Sequence, residues 1–187
     1  MRDVCNKSIK VEIAIIGAGV GGCAAALSAA RLGCKVVLTE ESYWIGGQLT
    51  NEMVPPDEHP WIENRGATAS YRALRNAIRT YYRKHLPLTR KALHADRLNP
   101  GNGWVSKLCH DPRVSLAVLN DLLAPYLLNG QLLILTGCRP IAAELDRDRI
   151  TSVALSDHQR GHNHAIEAQF FIDATPLGDL LALTGGT

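Results

Sequence analysis

The sequence has few aromatic residues, little net charge and no long apolar segment. Phe, Trp and Tyr together make up 5% of the 187 residues, which argues against a surface that stacks nucleic-acid bases. The formal net charge of +2 is scattered, which argues against nucleic acid and acidic membrane surfaces as partners. No signal segment precedes the first strand, and no apolar run reaches the roughly 18 residues of a membrane span. We therefore expect a cytoplasmic protein with no nucleic-acid or membrane partner.

Cysteine and histidine are present without the spacing of a known metal or disulfide pattern. The five cysteines are an odd number and include no Cys-x-x-Cys pair, so neither a disulfide framework nor a zinc site is predicted. His158, His162 and His164 cluster at a predicted hairpin tip, but their spacing matches no ordinary site and supporting acidic residues are missing. The sequence therefore predicts no metal site.

The first 40 residues have the pattern of a β-α-β unit. Residues 11–16 are apolar and β-branched, as in a strand that is buried on both faces. Residues 19–32 are rich in alanine and predict a helix, and residues 35–39 predict a second buried strand. A right-handed crossover between parallel strands is the expected geometry for this unit.

Three spaced glycines lie between the first strand and the helix. Gly17, Gly19 and Gly22 fit G-x-G-x-x-G, in which the glycines allow a tight turn, a close approach of pyrophosphate and helix packing. Glu40 ends the second strand, where a carboxylate can accept hydrogen bonds from adenosine ribose hydroxyls and disfavours a 2′-phosphate. The alternative is a glycine-rich turn beside a surface glutamate. We predict a dinucleotide site at which NADP is disfavoured.

The remainder of the chain predicts an α/β fold of the Rossmann type. Residues 42–112 form a predicted insertion of loops and helix, and residues 138–170 a β-meander with tips at 146–148 and 158–164. This arrangement gives a parallel central sheet with a β-meander crossover and helical insertions. Further elements are predicted at 68–85 (helix), 114–128 (helix interrupted by Pro125), 131–137 (strand) and 170–174 (strand).

Three blocks of the sequence resemble the FAD-dependent oxidoreductase family. They read IAIIGAGVGGCAAALSAARLGCKVVLTEESYWIGGQLT, NPGNGWVSKLCHDPRV and FIDATPLGDLLALTG. The resemblance runs from Val11 to Gly185 and implies FAD as the cofactor, with hydride transfer from an unknown small-molecule substrate and reoxidation by an unknown acceptor. It covers only the nucleotide-binding part of such flavoproteins. It therefore implies that residues 1–187 form the N-terminal FAD-binding part of a longer chain.

The resemblance also implies a set of cofactor-binding residues. A second glycine segment of such flavoproteins lies along the pyrophosphate and ribityl chain, and Gly46, Gly47 and Gln48 occupy its place; an ordinary loop is the alternative. Thr175 is expected to cap a helix that has Pro176 in its first turn, where the family commonly carries an acidic residue. Asp173 and Asp179 either bind cofactor hydroxyls or have structural roles. The expected cofactor residues are Gly17, Gly19, Val20, Gly21, Gly22, Glu40, Glu41, Gly46, Gly47, Gln48, Arg139, Ala174, Thr175 and Asp179.

The sequence offers only weak catalytic candidates. Cys109 and Arg113, with Trp104, could line the flavin ring or the substrate pocket, and Arg113 could pair with a substrate carboxylate. Alternatively, Cys109 is a small core residue and Arg113 a solvated side chain at a helix start. Two other hypotheses stay open for the whole chain: a non-catalytic or truncated dinucleotide-binding module, and an NAD-binding dehydrogenase domain.

Overall fold

The computed structural model describes residues 7–185, which divide into two units. The first unit takes the chain up to Ile45 and again from Leu123 onward, and the second takes Gly46–Leu122. The first unit contains the sheet and the glycine motif. The second unit contains the helix predicted at residues 68–85 and the irregular segments on either side of it.

Six strands of the described residues form one mixed sheet in the order β3-β2-β1-β6-β5-β4. Strands β3, β2, β1 and β6 are parallel neighbours, whereas β6, β5 and β4 are antiparallel. The meander therefore carries the chain from β3 back to the other side of β1. This confirms the predicted parallel centre and β-meander crossover. The strands are β1 (Lys7–Ile16), β2 (Val36–Glu40), β3 (Leu132–Thr136), β4 (Cys138–Asp146), β5 (Arg149–Asp157) and β6 (His162–Asp173).

The core of the first unit lies on the parallel strands, whose apolar residues point to both faces. Ala14, Ile15 and Ile16 of β1 are fully buried, as the continuous apolar run predicts. Helix α1 (Val20–Arg31) contributes small buried side chains, among them Ala26 and Ala30, which let it pack closely on the sheet. One buried cluster joins the parallel strands to the meander; it contains Ala14, Ile16, Val37, Leu135, Cys138, Val153, Leu155, Ile166 and Leu180.

The second hairpin of the meander differs from its prediction. The turn comprises residues 158–161, and β6 begins at His162. His162 and His164 therefore lie on a strand and share one of its faces, and only His158 lies at the tip. The polar composition of residues 158–164 indicates a turn. In the structure, however, β6 pairs with β5 as far as His162, which lies opposite Asp157.

The other helices follow the predicted bounds closely. Helix α2 (Ala69–His85) is capped by Thr68, whose hydroxyl accepts the N–H of Tyr71 at 3.2 Å. A single turn, α3 (Arg90–Leu93), was not predicted. Helix α4 (Pro112–Leu128) continues through Pro125, so the predicted interruption is wrong. Proline removes one N–H donor, but the helical hydrogen bonds of the following turn still form.

Among the described helices, none is long and apolar enough to span a bilayer.

A buried ion network holds the second unit together. Arg75 and Arg79, one turn apart on α2, both contact Glu63, and Arg75 also contacts Glu58. Burial alone would raise the pKa of Glu63, but hydrogen bonds and charge from the two arginines lower it. Arg79 also donates to the carbonyl oxygen of Leu98 at 2.9 Å. Arg75 and Arg79 are therefore internal to this unit, at 3% and 5% exposed.

Candidate functional site

Two glycines of the motif are required by the packing of the loop itself. Gly17 has φ +100°, and a Cβ there would lie 2.4 Å from the carbonyl oxygen of Ala174. A Cβ on Gly22 would lie 1.9 Å from the carbonyl oxygen of Gly17. The loop between β1 and α1 is thus pressed against the end of β6 on one side and against its own helix on the other. Any side chain at either position would displace backbone.

The second glycine of the motif faces open space. Apart from its chain neighbours and the nearby backbone of α1, a Cβ added to Gly19 or to Gly21 would meet no atom of residues 7–185 within 4 Å. Gly19 is the N-cap of α1, so the N–H groups of Val20, Gly21 and Gly22 belong to its first turn and have no intrahelical acceptor. The first turn also contains no acidic residue that would offset the positive end of the helix dipole. Free space, free donors and a positive potential together form a cradle for phosphate.

The carboxylate of Glu40 is hydrogen-bonded to the glycine loop. Its Oε2 accepts the N–H of Ala18 at 3.0 Å, and its Oε1 accepts the N–H of Ser42 at 3.0 Å. Each oxygen retains a second lone pair, so the carboxylate can still accept a ligand hydroxyl. The sequence predicts a contact between Glu40 and the ligand, with a surface glutamate as the alternative. In the structure it also positions the loop, a role that only the fold reveals.

Three predicted cofactor residues from distant segments line one pocket of the first unit. Glu41 follows β2, Arg139 lies on β4, and Asp179 begins helix α5 (Asp179–Leu183). The pocket has a volume of about 470 Å³, and its other walls are largely apolar: Pro140, Ile141, Leu177, Ala182 and Leu183. Apolar walls with a few charged groups are the usual composition of a small-molecule site.

The segment after β6 is organised by Asp173. Its Oδ1 accepts the N–H and the hydroxyl of Thr175, and its Oδ2 accepts the N–H of Leu180 at 2.9 Å. Asp173 thereby links the end of β6 to α5. The helix starts later than expected: Gly178, with φ +71°, is its N-cap, and the predicted cap at Thr175 is wrong. Instead, the Thr175 hydroxyl accepts the N–H of Asp179 at 2.8 Å, because a turn separates it from the helix.

The second glycine segment has a structural reason within its own unit. Gly46 has φ +108°, and a Cβ there would lie 2.6 Å from Cγ2 of Thr50 and 2.7 Å from Cδ1 of Leu119. Gly46 caps a short 3-10 turn over Gly47–Leu49. The side chain of Gln48 donates to the carbonyl oxygen of Pro55 at 3.4 Å. These contacts explain both glycines as a turn, and the expected cofactor contact stays a prediction.

The contacts of the two catalytic candidates favour the structural alternatives. Cys109 is buried, and its N–H donates to Oδ1 of Asn99 at 2.6 Å. Arg113 is exposed and contacts Asp111 at 2.5 Å, and its hydrogen bonds lower the pKa of that carboxyl to about 2. Trp104 is 94% exposed. The catalytic use of Cys109, Arg113 and Trp104 stays a prediction.

Comparisons with known proteins identify the family and support the fold. A family model described as FAD dependent oxidoreductase matches residues 12–187. No curated protein sequence matches the chain. The glycerol-3-phosphate dehydrogenase from Bacillus halodurans complexed with FAD is 17% identical and has a TM-score of 0.56. Mycobacterium smegmatis Sdh1 in complex with UQ1 is 13% identical and has a TM-score of 0.58.

The likeness to these solved structures is one of fold, and it covers only part of each. The matches include 94% and 90% of this chain but 36% and 34% of the two other chains. The chain therefore spans about a third of the length of the solved proteins it resembles.

Proposed function

Since the chain belongs to the FAD dependent oxidoreductase family, whose cofactor is FAD, we propose that the loop between β1 and α1 holds the FAD pyrophosphate. The observation that carries the proposal is the open space at Gly19 beside the unpaired N–H groups of the first turn of α1. Two phosphates placed there gain hydrogen bonds and a favourable helix dipole at once. The cofactor therefore fits the residues that are present.

Glu40 would hold the adenosine ribose next to this cradle. Its carboxylate is already fixed by the N–H groups of Ala18 and Ser42, so little conformational entropy is lost when it accepts ribose hydroxyls. The pocket lined by Glu41, Arg139 and Asp179 would then take the adenine end, with its apolar walls against the base. This extends the proposed site over three segments of the first unit.

The family uses FAD for redox chemistry. The reaction that the whole protein catalyses is our proposal. FAD, when bound, supplies two-electron chemistry by accepting a hydride from an organic substrate. The residues of the first unit bind and orient the nucleotide: backbone N–H groups at α1 meet the phosphates, and Glu40 meets the ribose. We propose hydride transfer from a small organic substrate, followed by reoxidation by an electron acceptor.

The direct test is nucleotide binding by the purified 187-residue chain. We expect flavin absorbance in the purified protein, or a rise in melting temperature when FAD is added. At a ligand concentration of about 100 Kd the gain is about 2.7 kcal/mol, because a bound ligand stabilises the native state. NAD serves as the matched ligand, since it shares the adenosine and pyrophosphate. Stabilisation by NAD without FAD would support an NAD-binding domain, and no response to either would contradict the proposed cradle.

A pair of substitutions at Glu40 separates ligand binding from loop stability. Glu40→Ala is expected to lower the free energy of unfolding by about 2 kcal/mol, because two N–H groups lose an acceptor. Both Glu40→Ala and Glu40→Gln are expected to weaken FAD binding by about 1.5–3 kcal/mol, through loss of charge-assisted bonds to ribose. Glu40→Gln keeps one carbonyl acceptor, so its stability loss is smaller. Denaturant unfolding and FAD titration measure the two effects separately.

Unchanged FAD affinity in both variants would contradict the assignment of Glu40 to the ribose. A loss of affinity in Glu40→Gln at nearly wild-type stability would be the strongest support for it. This pattern could not come from a disordered loop alone.

A further inference from the structure

A row of four metal-ligating side chains crosses the meander of the first unit. Cys138 on β4 pairs in register with Asp157 on β5, and Asp157 pairs with His162 on β6. His164 lies two residues further along β6, so it shares the face of His162. Three strands that are far apart in sequence thus bring a thiol, a carboxylate and two imidazoles together.

The cluster is buried and its ligand atoms are close. Cys138, Asp157 and His164 are each at most 5% exposed. One ligand atom from each of these three residues lies within 4.8 Å of the others. Ligands held about 2.0–2.3 Å from a tetrahedral Zn²⁺ lie roughly 3.5 Å apart, so the cluster needs a contraction of only about 1 Å.

Two buried ring nitrogens of the cluster lack a partner. Nδ1 of His164 and Nε2 of His162 form no hydrogen bond within residues 7–185, although both atoms are buried. The two rings lie 4.7 Å apart between centroids, in an edge-to-face arrangement. Buried polar atoms almost always have a partner, because leaving one unpaired forfeits its hydration. Each ring therefore has a nitrogen available to a further ligand.

The charges of the cluster also suit a cation. Asp157 accepts the Nε2–H of His164 at 3.2 Å and Nη1 of Arg160 at 3.1 Å. Its carboxylate also accepts the N–H groups of Gln159 and Arg160. The Arg160 side chain is 59% exposed, so it can move into solvent when a cation takes its place.

We propose that Cys138, Asp157 and His164 form a binding site for a zinc-type divalent transition-metal ion, with the imidazole of His162, whose ring centroid lies 4.7 Å from that of His164, available as a further donor. Sulfur and imidazole donors select this class over Mg²⁺ and Ca²⁺, which prefer oxygen ligands. The thiolate is the form of cysteine that binds metal, so metal binding releases the thiol proton of Cys138. The sequence predicts no metal site, because the register of three strands, and not the spacing along the chain, brings these residues together.

Cobalt(II) is the probe for this site, because a thiolate bound to Co²⁺ has a characteristic near-ultraviolet charge-transfer band. Titration of the 187-residue chain is expected to produce this band with saturation near one equivalent, and Zn²⁺ is expected to displace it. Cys138→Ser should abolish the band, and His164→Gln should weaken Co²⁺ binding at least tenfold. The controls are Cys34→Ser and His158→Gln, which remove a thiol and an imidazole outside the cluster and should leave the titration unchanged.

Thiol labelling provides a second readout on the unmutated chain, so the test does not depend on variants that fold. Zn²⁺ is expected to slow alkylation of Cys138 at least tenfold without protecting Cys34, as measured by mass spectrometry of the peptides. Absence of the cobalt band in the wild-type chain would overturn the proposal. So would a band that survives Cys138→Ser but is lost in Cys34→Ser. Neither outcome depends on whether the chain binds FAD.

Discussion

Gly19→Val is expected to eliminate measurable FAD binding while the fold remains intact. A Cβ at Gly19 meets clear space in the part of the chain that the structure describes, so the substitution has no protein atom to displace. The same space is where the pyrophosphate must approach the first turn of α1. A branched side chain there would keep the phosphates away from the N–H groups. We expect FAD to bind at least about 100-fold more weakly, or about 2.7 kcal/mol.

FAD titration and denaturant unfolding of the same protein preparations check this expectation. Ala24→Val is the matched control, since it adds the same branched group to an exposed position one turn later on α1. Both variants should unfold at nearly the same denaturant concentration, and only Gly19→Val should lose the flavin. Wild-type affinity in Gly19→Val would mean that the pyrophosphate lies elsewhere. A collapse in stability would mean that the space at Gly19 belongs to the fold.

Whereas Gly19→Val is expected to affect only FAD binding, Gly22→Ala is expected to destabilise the fold itself. Its Cβ would lie 1.9 Å from the carbonyl oxygen of Gly17, and that atom is backbone that cannot rotate away. The loop or the start of α1 must therefore shift, which also disturbs the contact between Gly17 and Ala174. We expect the free energy of unfolding to fall by about 3 kcal/mol or more, the range of severe core substitutions.

The neighbouring glycine provides the control for this experiment. Gly21→Ala adds the same methyl group to the same turn of α1, where it meets no described atom within 4 Å. Alanine favours helix, so this variant should be as stable as the wild type or up to about 1 kcal/mol more stable. The measurement is the denaturant midpoint of the wild type, of Gly22→Ala and of Gly21→Ala. Equal midpoints for Gly22→Ala and Gly21→Ala would contradict the close packing of loop and helix.

The two expectations show why the motif alone was informative but incomplete. The spacing of Gly17, Gly19 and Gly22 predicted a phosphate loop, and strand, loop and helix do follow in that order. Sequence reasoning gave each glycine its general role. It did not reveal that Glu40 bonds the N–H of Ala18, because residues 22 positions apart in sequence meet only when β2 lies beside β1.

The local sequence pattern also predicted most helices and strands correctly, but it did not predict the start of α5 or the continuity of α4. The apolar run before Gly17 predicted a buried strand because such a run can only be shielded inside a parallel sheet. The cap at Thr175 and the break at Pro125 were wrong. At Thr175 the reason is that Asp173 accepts both its N–H and its hydroxyl and so stabilises a turn before α5. At Pro125 the reason is that the helix tolerates the loss of one N–H donor.

The sequence by itself determined the β-α-β unit, the glycine loop between strand and helix, and the family, since each depends on residues that are close together in the chain. Tertiary structure alone decided which distant side chains meet. The register of β4, β5 and β6 places Cys138, Asp157 and His162 in one row, and the return of β6 beside β1 presses Ala174 against Gly17. Strand register is set by the packing of whole faces, so no spacing along the chain encodes these contacts.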